Sequence, residues 1–109
     1  NLKDTDQTIK FYINNNIKIN SIFSKKNNTF LLNKDFFKQP NEIIFRSISI
    51  LMKLISKNYY APRGKSVMNL IVRLKSKNFK KTTLGRCFFE KINETILISS
   101  ENNNNEKIL

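Results

Sequence analysis

Histidine is absent from all 109 residues. That removes the commonest general base, excludes Ser-His and Cys-His nucleophile pairs, and leaves no imidazole metal ligand. Cysteine is almost absent. Cys87 stands alone, so no internal disulfide can form and a thiolate metal site cannot be assembled. A lone thiol suits a reducing compartment, and a cytoplasmic location is expected. Acidic side chains are scarce, eight Asp and Glu against twenty Lys and Arg. Only Asp4 and Asp6 lie close together, and the pair reads as the acidic start of a helix rather than an acid–base couple. No apolar run approaches the ~20 residues a membrane span needs. The densest, Ile48 to Ile55, is interrupted at Lys53. No signal-peptide pattern follows Asn1, and a start at Asn rather than Met fits an excised fragment. The expectation is a chain without catalytic residues, cofactor, metal or membrane span of its own.

What is present is enough apolar matter for one core and a large excess of positive charge. With 39% hydrophobic residues, a single domain of this length buries roughly 65% of its unfolded surface. A net charge of +12 predicts attraction to polyanions, either nucleic acid or anionic lipid. Composition supplies a rival explanation. Asn, Lys, Ile and Phe have AT-rich codons and dominate the chain, and 16 of the 20 cations are Lys. Genome bias would raise Lys without any partner, which leaves open a structural or protein-interaction domain. The four arginines, Arg46, Arg63, Arg73 and Arg86, are therefore the stronger signal.

Periodicity predicts an α+β domain of about three helices and two β-hairpins around one core. Asp4 or Thr5 caps a first helix with Ile9, Tyr12 and Ile13 on one face, ending in Asn14-Asn15-Asn16. Ile17, Ile19, Ser21 and Phe23 alternate as a strand. Lys25 to Asn28 forms a turn, and Thr29 to Leu32 returns. Asp35-Phe36-Phe37 makes a short helical turn before Pro40. From Glu42 to Lys57 the polar residues keep to an arc of about 100°, so this helix is packed on more than one side and ends at Asn58. Val67, Leu70, Ile71 and Leu74 fall at i, i+3, i+4 and i+7, opposite a stripe of Lys65, Asn69, Arg73 and Lys77. Thr83 to Lys91 and Thr95 to Ser99 pair as the second hairpin through a turn at Ile92-Asn93. Cys87 reads as a small core residue. The expected organisation is a connecting helix over 1–16, the domain over 17–99 and a solvated tail over 100–109.

Gly64-Lys65-Ser66 resembles the end of a phosphate-binding P-loop, but Tyr59 occupies the place of the required earlier glycine and no strand precedes it. A turn entering a helix is the better reading. The remaining chemistry is basic. Arg63, Lys65, Arg73, Lys77, Lys80 and Lys81 cluster around one helix and its flanking loops, with Arg86 beyond them. Such a surface tracks phosphates without reading bases. Tyr59, Tyr60 and Phe79 sit beside it, placed either to stack on exposed bases or to pack on the helices.

Four residue clusters resemble the region that follows the catalytic domain in tRNA(Ile)-lysidine synthetases. Asn27 to Leu32 stands where many members have a Gly-aromatic turn into a strand. Gln39-Pro40-Asn41-Glu42, then Ile43 to Arg46, resembles a Pro-initiated helix with an early arginine. Tyr60-Ala61-Pro62-Arg63 resembles a Tyr-Pro-Pro-Arg entry to an amphipathic helix. Thr83 to Cys87, then Glu94 to Ser99, resembles a Leu-Gly-Gly-Cys strand and closing hairpin. Arg86 stands where a second glycine is usual, and Ser99-Ser100-Glu101 lacks an arginine common there. The clusters span about 80 residues, and their order carries the likeness. The resemblance implies a parent that uses ATP and magnesium to activate the wobble cytidine of an isoleucine tRNA and attach lysine. The family's Ser-Gly-Gly-x-Asp-Ser loop does not occur here. The resemblance therefore implies a tRNA-holding region that works beside a separate catalytic domain. An unrelated basic nucleic-acid module is the alternative.

Overall fold

A computed structural model of the chain describes residues 2–57 and 59–101. Three α-helices and one five-stranded antiparallel sheet form a small α+β domain. In chain order the elements are α1 (Leu2–Asn20), β1 (Ser21–Ser24), β2 (Thr29–Leu32), a 3₁₀ turn (Lys34–Lys38), α2 (Asn41–Ile55), α3 (Gly64–Leu74), β3 (Lys81–Leu84), β4 (Cys87–Ile92) and β5 (Thr95–Ser100). The strands lie in the order β1-β2-β5-β4-β3.

Side chains alternate across a strand, so register assigns each row to a face. One row runs Phe23, Phe30, Ile98, Phe89 and Thr82 across all five strands. Phe30, Phe89 and Ile98 of that row are buried. They meet Ile44, Ile48, Leu51 and Met52 of α2 and Val67, Leu70, Ile71 and Leu74 of α3 in one core. The opposite row, Ile22, Leu31, Leu97, Glu90 and Lys81, passes from apolar at β1 to charged at β3. Cys87 is fully buried and its thiol donates to the Met52 carbonyl at 3.4 Å, fastening β4 to α2.

The two interior helices follow their sequence patterns. The four apolar positions predicted for α3 are all buried. In α2, Ile43, Ile44, Ile48, Leu51, Met52 and Ile55 are buried, while Leu54 is 63% exposed, so the helix is central but not enclosed. It ends at Ile55, short of Lys57. The Ser56 amide bonds back to the Met52 carbonyl, and the Asn28 side chain donates to the Ile55 carbonyl at 3.2 Å. Asn58 and the tail expected from Asn102 onward lie outside the described residues.

Two expectations are corrected. The strand read over Ile17 to Phe23 is helix as far as Asn20, so α1 crosses the expected boundary at residues 16 and 17. Asn is a poor helix former, but Asn16 and Asn20 are buried where tertiary partners use their amides. Asn16 Nδ2 donates to Ser47 Oγ at 3.2 Å and to the Phe36 carbonyl at 3.4 Å. Asn20 Nδ2 donates to Asn16 Oδ1 at 2.9 Å, and the Asn20 carbonyl accepts from Asn33 N at 3.1 Å. Second, Thr83 to Lys91 is not one strand. The chain reverses at Gly85-Arg86, both in left-handed backbone with φ of 60° and 69°. This matches the primed turns that suit tight hairpins, and β3-β4-β5 is therefore a meander. Ser100, expected in the tail, is the buried last residue of β5.

Candidate nucleic-acid interface

Between Tyr59 and Lys91 stand nine cations and one acid, Glu90. The fold folds this segment into α3 and the edge strand β3, which lie side by side. Arg73, in the last turn of α3, bridges them. Its Nη1 donates to Thr82 Oγ1 at 2.9 Å, and its guanidinium lies 6.0 Å from the centre of the Phe79 ring. Cations at a helix C-terminus are also favoured by the helix dipole.

The α3–β3 connection is ordered by its own polar groups. Asn78 N donates to Ser76 Oγ at 3.3 Å, and Phe79 N to the Ser76 carbonyl at 3.2 Å. The Lys80 carbonyl accepts from Lys91 N at 2.8 Å, tying the loop to β4. Arg73, Lys80 and Lys81 with Ser76, Asn78 and Phe79 thereby border one depression of about 350 Å³. A second depression, sharing Arg73 with the first, is bordered by Ser66, Asn69, Thr82 and Thr83, and a third, sharing Thr83 and Leu84 with the second, by Tyr60, Gly85 and Arg86. β3 itself, from Lys81 to Leu84, runs about 10 Å at ~3.3 Å per strand residue.

All seven cations predicted for the site are exposed. Arg73 and Lys80 come together at one depression, Lys81 borders it from the sheet row that faces away from the helices, and Arg86 borders another depression with Glu101. Lys65 shares a helix face with Asn69 and Arg73, which border the groove. Arg63 precedes α3 and borders none of these depressions. Lys77 faces the opposite side of the connection, with Lys75. Among the described residues none of the seven has a carboxylate partner. The ion pairs lie elsewhere, at Lys10–Asp6, Lys34–Glu94, Lys38–Asp35 and Arg46–Glu42.

Of the three aromatics, Phe79 is buried at 7% exposure and serves as floor under Arg73, not as a free stacking surface. Tyr59 is half-buried with its phenol pushed up, first by burial and then by the Cys87 thiol. Only Tyr60, 74% exposed, remains open for stacking. Sequence reasoning missed Thr82, because an alternating strand gives no hint that its hydroxyl would hold an arginine from a helix nine residues earlier. Cys87 is fully buried, as the sequence reading of a core residue expects. Burial, and then Glu101, push its thiol up to about 12. Among the described residues no cluster of His, Cys, Asp or Glu could hold a metal, and no helix is long and apolar enough to cross a membrane. No protein-family model matches the chain, and neither a curated protein nor a solved structure shows a significant likeness to it.

Proposed function

We propose that this domain binds RNA through the groove between α3 and β3, following the phosphate backbone rather than reading bases. The observation that carries the reading is the set of cations, without carboxylate partners among the described residues, that border α3 and β3, with Arg73 fixed by Thr82. Genome bias explains lysines spread over a surface. It does not explain why Arg63, Arg73 and Arg86 lie on or beside this segment without carboxylate partners among the described residues, while Arg46 is paired with Glu42.

The finer form of the proposal is a tRNA-contacting domain of the lysidine synthetase type. Two features support it. The position where that family has its second glycine holds Arg86 in left-handed backbone, a conformation glycine adopts most readily. The Tyr60-Ala61-Pro62 cluster also abuts the Leu84-Gly85 cluster. A Cβ on Gly85 would fall 3.1 Å from the Tyr60 carbonyl oxygen and 3.4 Å from Pro62 Cδ. In this reading ATP and magnesium act in a separate catalytic domain, and this domain's own residues bind and orient the tRNA. A Ser-Gly-Gly-x-Asp-Ser loop encoded after a strand, roughly 200 residues upstream and so about one further domain away, is the expected companion.

Binding to labelled tRNA across a salt series tests the coarser claim. The logarithm of affinity should fall linearly with the logarithm of salt, and Arg73→Ala should lower the slope by about one. Affinity independent of salt, or no binding at low salt, would contradict it.

A further inference from the structure

The connection from α3 to β3 is a ridge with two unlike sides. Arg73, Ser76 and Asn78 face the groove. Leu74, Lys75 and Lys77 face a second depression of about 250 Å³, whose apolar floor is completed by Phe37 and Ile96. That volume is below the range of pockets that enclose drug-sized ligands, so it suits one small planar group. Phe37 is half-buried against the core and borders the depression with the rest of its ring. Its ring meets the fully buried Phe36 edge-on, centroids 5.2 Å apart at 61°. The 3₁₀ turn carrying both rings is capped by Asn33 Oδ1, which accepts from Phe36 N at 3.1 Å. Around the rim, Lys75 and Lys77 have no ion-pair partner among the described residues, Lys34 pairs with Glu94 at 2.9 Å, and Lys38 pairs with Asp35 at 3.2 Å. The Lys91 charge, without an ion pair among the described residues, helps hold the Glu94 carboxyl down.

We infer that this depression takes a single unpaired nucleotide of the bound RNA, its base against Phe37 and its flanking phosphates on Lys75, Lys77 and Lys91. The inference rests on the groove binding RNA, because the shared ridge delivers a strand leaving Arg73 directly to Lys75 and Lys77. An anion alone would use the lysines and ignore the apolar floor. A paired base could not reach the floor, since its faces are stacked within the helix, and only an unpaired base presents a free π-surface to an aromatic ring.

The test uses the full chain and three RNA hairpins at one low salt concentration. One stem is fully paired, one carries a single bulged uridine, and one carries an abasic bulge at the same place. The bulged uridine should bind about tenfold more tightly than either control, the usual scale for stacking one base on an aromatic side chain. Phe37→Leu, which keeps apolar packing on Phe36 but loses the flat ring, should abolish that preference while leaving paired-stem affinity and its salt slope unchanged. Equal affinity for all three hairpins would overturn the pocket and leave the groove standing. A preference that survives Phe37→Leu would also overturn it. Absence of binding to every hairpin would instead overturn the groove, and the pocket with it.

Discussion

The joint between α1 and α2 and the groove between α3 and β3 are both rich in polar side chains, but they use them in opposite ways. At the joint, Asn16, Asn20 and Ser47 are buried and bonded to one another or to backbone. The cations nearby in sequence are matched in part by acids one helical turn away, as in Lys10–Asp6 and Arg46–Glu42. Along the groove, Arg73 is the one predicted cation given a side-chain hydrogen-bond partner among the described residues, the neutral Thr82 hydroxyl, so within them its charge stays uncompensated. A polar group satisfied inside the fold contributes to stability. A charge oriented by the fold and left unmatched is free for something outside it. Net charge alone did not separate these two cases, since lysines are plentiful in both regions.

If the comparison is sound, damage to the joint should cost stability without touching RNA affinity. Asn16→Ala should give the largest effect, about 2–3 kcal/mol in urea unfolding, because it strands the Asn20 amide, Ser47 and the Phe36 carbonyl together. An Asn16→Ala protein that unfolds like the parent would break the contrast from that side.

Gly85 is where fold and groove meet. A Cβ there would lie 2.8 Å from Met52 Cε and 3.1 Å from the Tyr60 carbonyl oxygen, at φ +60°. Gly85→Ala should therefore destabilise by more than about 1 kcal/mol, read by the shift in denaturation midpoint. A neighbouring substitution should run the other way. Arg86→Gly should raise stability by up to about 1 kcal/mol by relieving left-handed strain at φ 69°, while weakening RNA binding. Improved stability with unchanged affinity would remove Arg86 from the interface.

Cys87 sharpens the comparison through pH. Its thiol is pushed up to about 12 in the fold, against about 8.5 in an unfolded chain. The contribution is fully present below the unfolded value and is lost as pH rises toward the folded one, because only the unfolded thiol ionises in between. Stability should decline from about pH 8.5 upward more steeply in the parent than in Cys87→Ala. Parallel pH profiles would show that the thiol does not sit in the dry core.

Legibility in the sequence followed the range of the forces involved. The faces of α2 and α3 were readable because burial repeats every three or four residues, and the hairpin turns at Asn28 and Asn93 because Asn tolerates the left-handed backbone found there, φ 53° and 57°. The length of α1 was not readable, since what holds Asn16 helical is Ser47, 31 residues away. The turn at Gly85-Arg86 was hidden by an arginine in a conformation that favours glycine. The basic segment was visible as a run of residue types, but its division into a groove and a separate lysine-rimmed pocket was not. That pocket brings Phe37 of the 3₁₀ turn together with Lys77 of the α3–β3 connection and Lys91 of β4 by tertiary folding.

The central claim is that arrangement, and not number, of cations makes the interface. It is tested most directly by the salt slope of tRNA binding in two matched double variants, Arg73→Ala/Lys80→Ala in the groove and Lys25→Ala/Lys26→Ala in the β1–β2 turn. The groove variant should lower the slope by about two, while the turn variant should keep the slope of the parent. Equal losses in both would mean that the chain attracts RNA by its overall charge, and the groove would lose its claim.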